Sequence, residues 1–352
     1  MKLSVISFTT KGMEQSEKIR THFPKEDLLL YTKCSAKKTL SPGVNYVTEK
    51  LGVWTNEQFE EKRDLLFIGA CGIAVRSIAP YIQDKLTDQA VLVMDEEGQF
   101  VIPILSGHVG GANELAIELG KKMKAMPVIT TATDVNHTFA VDVFAKKNEL
   151  TIGNREGIAR VSAKVLEEKQ MTLSMETGGW TLAKQIPKEI QVVPFPPKEK
   201  VDVLIAGTNA YEATLYLHPK EYVLGVGCRK GKAAEELEQF LKKHMENAGI
   251  TWMQVAQVSS IDLKKDEPAL LQWSEKHDIP FVTYSSEELG KVDGTFSKSM
   301  FVEKTTGVDN VCERAAQKGC GEGGSLIYQK HAEDGMTIAI GRRKRSVSFD
   351  ET

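Results

Sequence analysis

An apolar run, Phe100-Val101-Ile102-Pro103-Ile104-Leu105, stops abruptly at Ser106-Gly107-His108-Val109-Gly110-Gly111. A helical period begins at once behind it, with apolar residues at Ala112, Leu115, Ala116, Leu119 and Met123. Strand, glycine-rich loop and helix in immediate succession restrict the chain to α/β architectures, in which such loops line the carboxyl edge of a sheet. Glycines let the backbone turn tightly and let a ligand approach it. The helix start offers unpaired N–H groups and the positive end of a dipole, a seat for a carboxylate, a phosphate or an oxyanion. Ser106, Gly107, His108, Gly110, Gly111, Asn113 and Glu114 surround that seat. The same residues also suit a plain βα turn whose polar groups only cap the helix, and both readings stand at this level.

The alternation continues on both sides. Strands over 3–8, 28–31 and 65–69 accompany a helix over 14–22 and another that begins near residue 73 and is interrupted at Pro80. Strands over 90–95 and 99–105 are joined only by Glu96-Glu97-Gly98, which demands an antiparallel hairpin. A strand over 127–131 completes residues 1–135, an N-terminal, mostly parallel α/β domain with an antiparallel edge. Residues 136–220 form a small middle α/β segment, with helices over 139–147 and 156–169 and strands over 171–175, 191–193, 201–205 and 214–217. It contains a stiff proline-rich connection over 194–200 and no catalytic constellation. Residues 221–345 restart as a C-terminal α/β domain, and 346–352 are a tail. Arg342-Arg343-Lys344-Arg345 reads as a solvated basic stretch.

The formal charge of −3 gives no reason to expect nucleic acid or a membrane surface as partner. The N-terminal run is too short and strand-like for a signal peptide, and no apolar run reaches membrane length. Five scattered cysteines without C-x-x-C spacing point to reduced thiols in a cytoplasmic protein. Seven histidines show neither H-x-x-x-H nor H-E-x-x-H, so no protein-held metal is expected.

Two further places carry chemistry-bearing residues. Arg76 is placed in the first turn of the helix after Ala70-Cys71-Gly72, where the dipole disfavours a cation. An anionic ligand or Asp95 as a partner would explain it, and so would plain exposure. In the C-terminal domain, Gly225-Val226-Gly227-Cys228-Arg229-Lys230-Gly231 fails both nucleotide fingerprints, because Lys230 stands at the third glycine of G-x-G-x-x-G and Ala233 follows Gly231-Lys232. What remains is an anion site at a helix start built from Gly227, Arg229, Lys230 and Gly231, with Asp262 and Lys264 at the end of the next strand.

The runs Gly72-Ile73-Ala74-Val75-Arg76, Val93-Met94-Asp95-Glu96 and Ser106-Gly107-His108-Val109-Gly110-Gly111-Ala112-Asn113-Glu114 resemble the cobalt-precorrin-5A hydrolase family of anaerobic cobalamin biosynthesis. So do Gly225–Gly231, Ser260-Ile261-Asp262-Leu263-Lys264 and Ser285-Ser286-Glu287-Glu288-Leu289. The resemblance runs end to end, loosely in the middle segment, and Cys228 stands where the family often has a small or hydroxyl residue. It implies a cobalt-containing contracted-ring tetrapyrrole as substrate, hydrolysis of its ring-A δ-lactone and loss of two carbons as acetaldehyde. Cobalt would be part of the substrate and no cofactor would be needed; other enzymes of the pathway are conceivable partners. Lactone hydrolysis needs a base and oxyanion donors. His108, Glu114 and Asp95 are the candidate bases, with His108 kept neutral beside the helix start, and the N–H groups of Gly110 and Gly111 are the candidate donors. Arg76, Ser106, Gly107, Asn113 and the C-terminal loop are expected to bind substrate. A non-catalytic corrinoid carrier and a sugar-phosphate-binding α/β protein are the rival functions.

Overall fold

The computed structural model describes residues 2–24, 27–35, 41–136, 138–167, 169–176, 180–182 and 185–349. The chain divides into two compact units, Met1–Thr138 and Phe139–Thr352. The first contains β1 (Lys2–Ser7), α1 (Thr10–His22), β2 (Asp27–Thr32), β3 (Val44–Tyr46), α2 (Leu51–Glu60), β4 (Asp64–Ile68) and α3 (Cys71–Ile78). It continues with β5 (Val91–Met94), β6 (Phe100–Leu105), α4 (Ala112–Met123), β7 (Met126–Pro127) and α5 (Ala132–Val135).

These strands form one seven-stranded sheet in the order β3-β2-β1-β4-β5-β6-β7. Every neighbouring pair is parallel except β5 and β6. The interior strands read as unbroken apolar runs because helices cover both faces. Leu66, Ile68, Leu92 and Met94 pack on one face with Leu115, Ala116 and Leu119 of α4. Leu65, Phe67, Val91 and Val93 pack on the other with Trp54 and Ile78. Alternate residues of one strand therefore anchor two separate cores. The antiparallel β6 is not the edge: β7 lies outside it, parallel, and is two residues long rather than the expected 127–131. Helix α2 has no counterpart in the sequence reading.

In the second unit α6 (Val141–Lys147), β8 (Leu150–Ile152), α7 (Arg155–Leu166), β9 (Met171–Met175), β10 (Trp180–Leu182), β11 (Ile190–Val193), β12 (Val201–Ile205) and β13 (Ala213–Pro219) precede a second α/β layer. That layer comprises β14 (Tyr222–Cys228), α8 (Ala234–Asn247), β15 (Val255–Ile261), α9 (Pro268–His277), β16 (Phe281–Tyr284), α10 (Ser286–Gly290), α11 (Met300–Thr306), α12 (Cys312–Cys320), β17 (Ser325–Glu333) and β18 (Met336–Arg342), and β19 (Arg345–Val347) follows. Two five-stranded sheets result, β11-β9-β12-β13-β8 and β16-β15-β14-β18-β17, with a small pair β10-β19. All seven residues of β15 are buried, which makes it a central strand of its sheet.

The end of the chain differs from the expected tail. Val347 and Phe349 are buried, Phe349 stacks on Phe144 with ring centroids 4.9 Å apart, and Ser348 exchanges two hydrogen bonds with Asn148. Residues 350–352 lie outside the described residues. The basic stretch is not simply solvated either. Arg342 Nε donates to the buried Glu221 at 2.7 Å, and Arg343 donates to Gln257 at 2.5 Å and pairs with Glu149. Apolar Val347 and Phe349 draw the segment back, and the arginines pair with groups already fixed by the sheets.

Candidate active site

Strand β6 ends at Leu105, and Ser106 takes a left-handed backbone (φ 57°) to start the loop. The loop then satisfies itself. The N–H of Gly111 donates to the His108 carbonyl at 2.9 Å, that of Ala112 to the Ser106 carbonyl at 3.1 Å, and that of Asn113 to the Gly107 carbonyl at 3.0 Å. The expected anion seat at the start of α4 is thus largely filled by the loop's own carbonyls, and Gly111 cannot offer its N–H to an oxyanion. The Gly110 N–H has no partner among the described residues. Gly110 is required by packing: a Cβ there would lie 2.2 Å from Ser106 Cβ and 2.8 Å from the Ser106 carbonyl oxygen. The Ser106 Oγ is buried and makes no hydrogen bond among the described residues.

His108 is held from the next loop. Its Nε2 lies 2.9 Å from Asp134 Oδ2 and 2.9 Å from Thr133 Oγ1. Asn113 Nδ2 reaches both Asp134 Oδ2 and Thr131 Oγ1 at 3.0 Å. Asn113 is only 5% exposed, and a Cβ on Gly107 would stand 2.9 Å from its Oδ1, so its amide faces the cluster. The imidazole side chain keeps 18% exposure and the Asp134 carboxylate 36%. Thr131, Thr133 and Asp134 were not foreseen. Because β6 and β7 are parallel neighbours, the loops after them emerge side by side at one edge of the sheet. The crossover β6–α4–β7 is the signal that would have brought Asp134 to His108.

Glu114 is exposed on the first turn of α4. The Asp95 carboxylate accepts the N–H groups of Glu97 (2.9 Å) and Phe100 (2.6 Å) and thereby ties the hairpin turn. Arg76 is exposed in the last turn of α3, not the first. Its guanidinium nevertheless folds back to the start of the helix, where a Cβ on Gly72 would stand 3.6 Å from Nη1.

In the C-terminal domain the expected seat also has an occupant. The buried Glu267 accepts the Gly231 N–H at 2.9 Å and the Lys264 ammonium at 2.8 Å. Burial pushes its carboxyl upward, but Lys264, the Gly231 N–H and the charge of Lys230 outweigh burial and hold it below the usual glutamate range. Gly227, Arg229 and Lys264 line a cleft of about 430 Å³ with Ile261, Lys330 and Met336. Lys230, Gly231 and Asp262 are exposed and do not line it. Cys228 also lines the cleft, and burial raises its thiol. Among the described residues no three His, Cys, Asp or Glu side chains converge as a metal site, and no helix is long and apolar enough to cross a membrane.

These features define an α/β protein with an imidazole–carboxylate pair at the carboxyl edge of a largely parallel sheet. Residues 53–134, which contain both His108 and Asp134, match the family described as Cobalamin synthesis G N-terminal, and residues 222–341 match Cobalamin synthesis G C-terminus. The chain is 30% identical to the cobalt-precorrin-5A hydrolase of Priestia megaterium over 352 residues, 96% of this chain and 94% of that protein. It is 35% identical to the cobalt-precorrin-5A hydrolase of Salmonella typhimurium strain LT2 over 292 residues, 79% of this chain and 81% of that one. The crystal structure of CobE, a protein from the cobalamin (vitamin B12) biosynthetic pathway, aligns with 34% of this chain and 89% of its own at 28% identity, with a TM-score of 0.33. The chain belongs to the cobalt-precorrin-5A hydrolase family.

Proposed function

We propose that this chain hydrolyses the ring-A δ-lactone of cobalt-precorrin-5A and releases acetaldehyde, giving cobalt-precorrin-5B in the cytoplasm. The near end-to-end similarity to the Priestia megaterium hydrolase carries the reading. The His108 loop supplies chemistry that suits it. His108 takes a proton from water, and the hydroxide adds to the lactone carbonyl. Of the two glycine N–H groups expected to meet the oxyanion, that of Gly110 is the candidate donor. The tetrahedral intermediate collapses, and the departing alkoxide takes the proton back from the imidazolium. Arg229 and Lys330, which line the C-terminal cleft, are cations suited to carboxylates. Cobalt belongs to the substrate, and the reaction needs no added metal or nucleotide.

Incubation of the purified protein with cobalt-precorrin-5A, followed by an aldehyde assay, tests this directly. Acetaldehyde should appear in step with substrate loss, and a chelator that spares the substrate's cobalt should not slow it. Tight binding of the tetrapyrrole without aldehyde would instead identify a carrier.

A further inference from the structure

We infer that the C-terminal cleft is a subsite for one pyrrole-type ring with two short carboxylate arms: its apolar surface takes the ring, and Arg229 and Lys330 take the carboxylates. The identity of the ring rests on cobalt-precorrin-5A being the substrate; the subsite itself does not. The cleft opens at the carboxyl ends of β14 and β15, the edge at which open α/β sheets bind ligands. Ile261, Val302, Val311 and Met336 supply its apolar surface. Its volume of about 430 Å³ is at the small end for organic ligands, which suits one ring with its arms rather than a whole macrocycle.

The charges along the cleft are not all satisfied by the protein. Lys264 is taken by Glu267 at 2.8 Å, and the acidic Glu333 is taken by Lys243 at 2.6 Å. Among the described residues, neither the Arg229 guanidinium nor the Lys330 ammonium has a hydrogen-bonded or ion-paired partner. The exposed Asp334 is the remaining acid of the lining, so two cations stand against one carboxylate. Two carboxylates on one ligand would satisfy both cations with charge-assisted hydrogen bonds.

Each cation is aimed by a feature of the β17–β18 hairpin. Asp334 and Gly335 form its two-residue turn, with φ of 47° and 75°. The Arg229 N–H donates to the Gly335 carbonyl at 2.9 Å. The Arg229 stem then lies across the glycine, where a Cβ would stand 2.7 Å from Cδ, 2.9 Å from Cγ and 3.0 Å from Nε. Lys330 sits where β17 shifts register between Tyr328 and His331, an irregularity of the kind that re-aims a side chain. Its N–H donates to the buried Glu313 Oε1 at 2.8 Å. Gly335 and Glu313 are therefore positioning residues for the two cations.

The test uses the whole protein with carbon-13 in its methionine methyls, the Met336 signal being assigned by Met336→Leu. The probe is a pyrrole with one acetate and one propionate arm, and its dimethyl ester is the control. At low salt the diacid should shift the Met336 signal saturably, and the ester should not. Arg229→Ala and Lys330→Met should each weaken the diacid about tenfold. Gly335→Asn tolerates the left-handed turn but places a Cβ against the Arg229 stem, so it should weaken the diacid similarly and add nothing to Arg229→Ala. If it does not fold, the two cation variants still decide the subsite. An ester that binds as well as the diacid overturns the pairing with carboxylates, and a Gly335→Asn loss that adds fully to Arg229→Ala overturns the positioning role. On cobalt-precorrin-5A, Arg229→Ala and Lys330→Met should raise KM about tenfold with a smaller effect on kcat. Diacid binding with an unchanged KM overturns the assignment of the ring to substrate. Diacid binding with no aldehyde from the wild type removes the hydrolase reading and supports the subsite.

Discussion

The loop after β6 and the loop after β14 begin from similar sequence patterns and end as opposites. Each follows a strand, contains glycine and leads to an amphipathic helix. In the first, backbone carbonyls fill the helix start and side chains make the site: His108 is gripped by Asp134 and Thr133. In the second, a side chain fills the seat, since Glu267 takes the Gly231 N–H and Lys264, and the exposed Arg229 remains beside a cleft. A glycine loop at a helix start is therefore an opportunity for an anion, and the protein's own oxygens compete for it. What distinguishes a reactive loop is a titratable group held by partners from another segment.

The sharpest way to break this contrast is at His108. His108→Gln keeps size and a hydrogen-bonding end but removes the base, and turnover should fall by roughly 10²–10⁴ with little change in melting temperature. Glu114→Gln, on the exposed face of the first turn of α4, should change turnover by less than about threefold. Similar losses in the two variants would move the base to Glu114.

A second effect, on stability, belongs to the C-terminal loop. Glu267→Gln leaves Lys264 without its ion pair in a buried setting and should cost about 1–3 kcal/mol of stability. The folded carboxyl lies below its ordinary value of 4.5, so its contribution is fully present above about that pH and is lost as pH falls through the lower folded value. Urea titrations across the acid range should show the wild-type advantage over the variant shrinking below about pH 4.5. An advantage constant with pH would mean that Glu267 only packs.

The smallest effect sharpens the comparison from the binding side. Arg229→Ala should weaken tetrapyrrole binding about tenfold at low salt, the contribution of one charge-assisted contact. An unchanged dissociation constant would leave the C-terminal loop purely structural.

The sequence made the sheets legible because their strands are apolar runs separated by turn residues, and it made the Ser106–Asn113 loop legible because glycine, serine and histidine interrupt such a run. It did not reveal α2, whose Leu51-Gly52-Val53-Trp54 start carries a glycine in its first turn. It did not reveal β3, β8, β10 or β19, each three residues long and specified by neighbours rather than by periodicity. Arg76 was misplaced because the helix begins at Cys71, two residues earlier than its apolar pattern. Asp134 was invisible for a deeper reason: nothing local marks a carboxylate that lies 26 residues from the histidine it holds and is brought to it by a parallel strand pairing.

The pairing of Ser348 with Asn148 spans 200 residues. On a ribosome, α6 emerges long before Ser348 and the Phe349 ring that pair with it exist. That helix must wait, partly uncovered, through most of synthesis of the second unit, and late long-range closures of this kind are where folding is slow and aggregation begins. Bulky additions placed directly after residue 349 therefore bear on the folding of residues 139–182, not merely on the end of the chain.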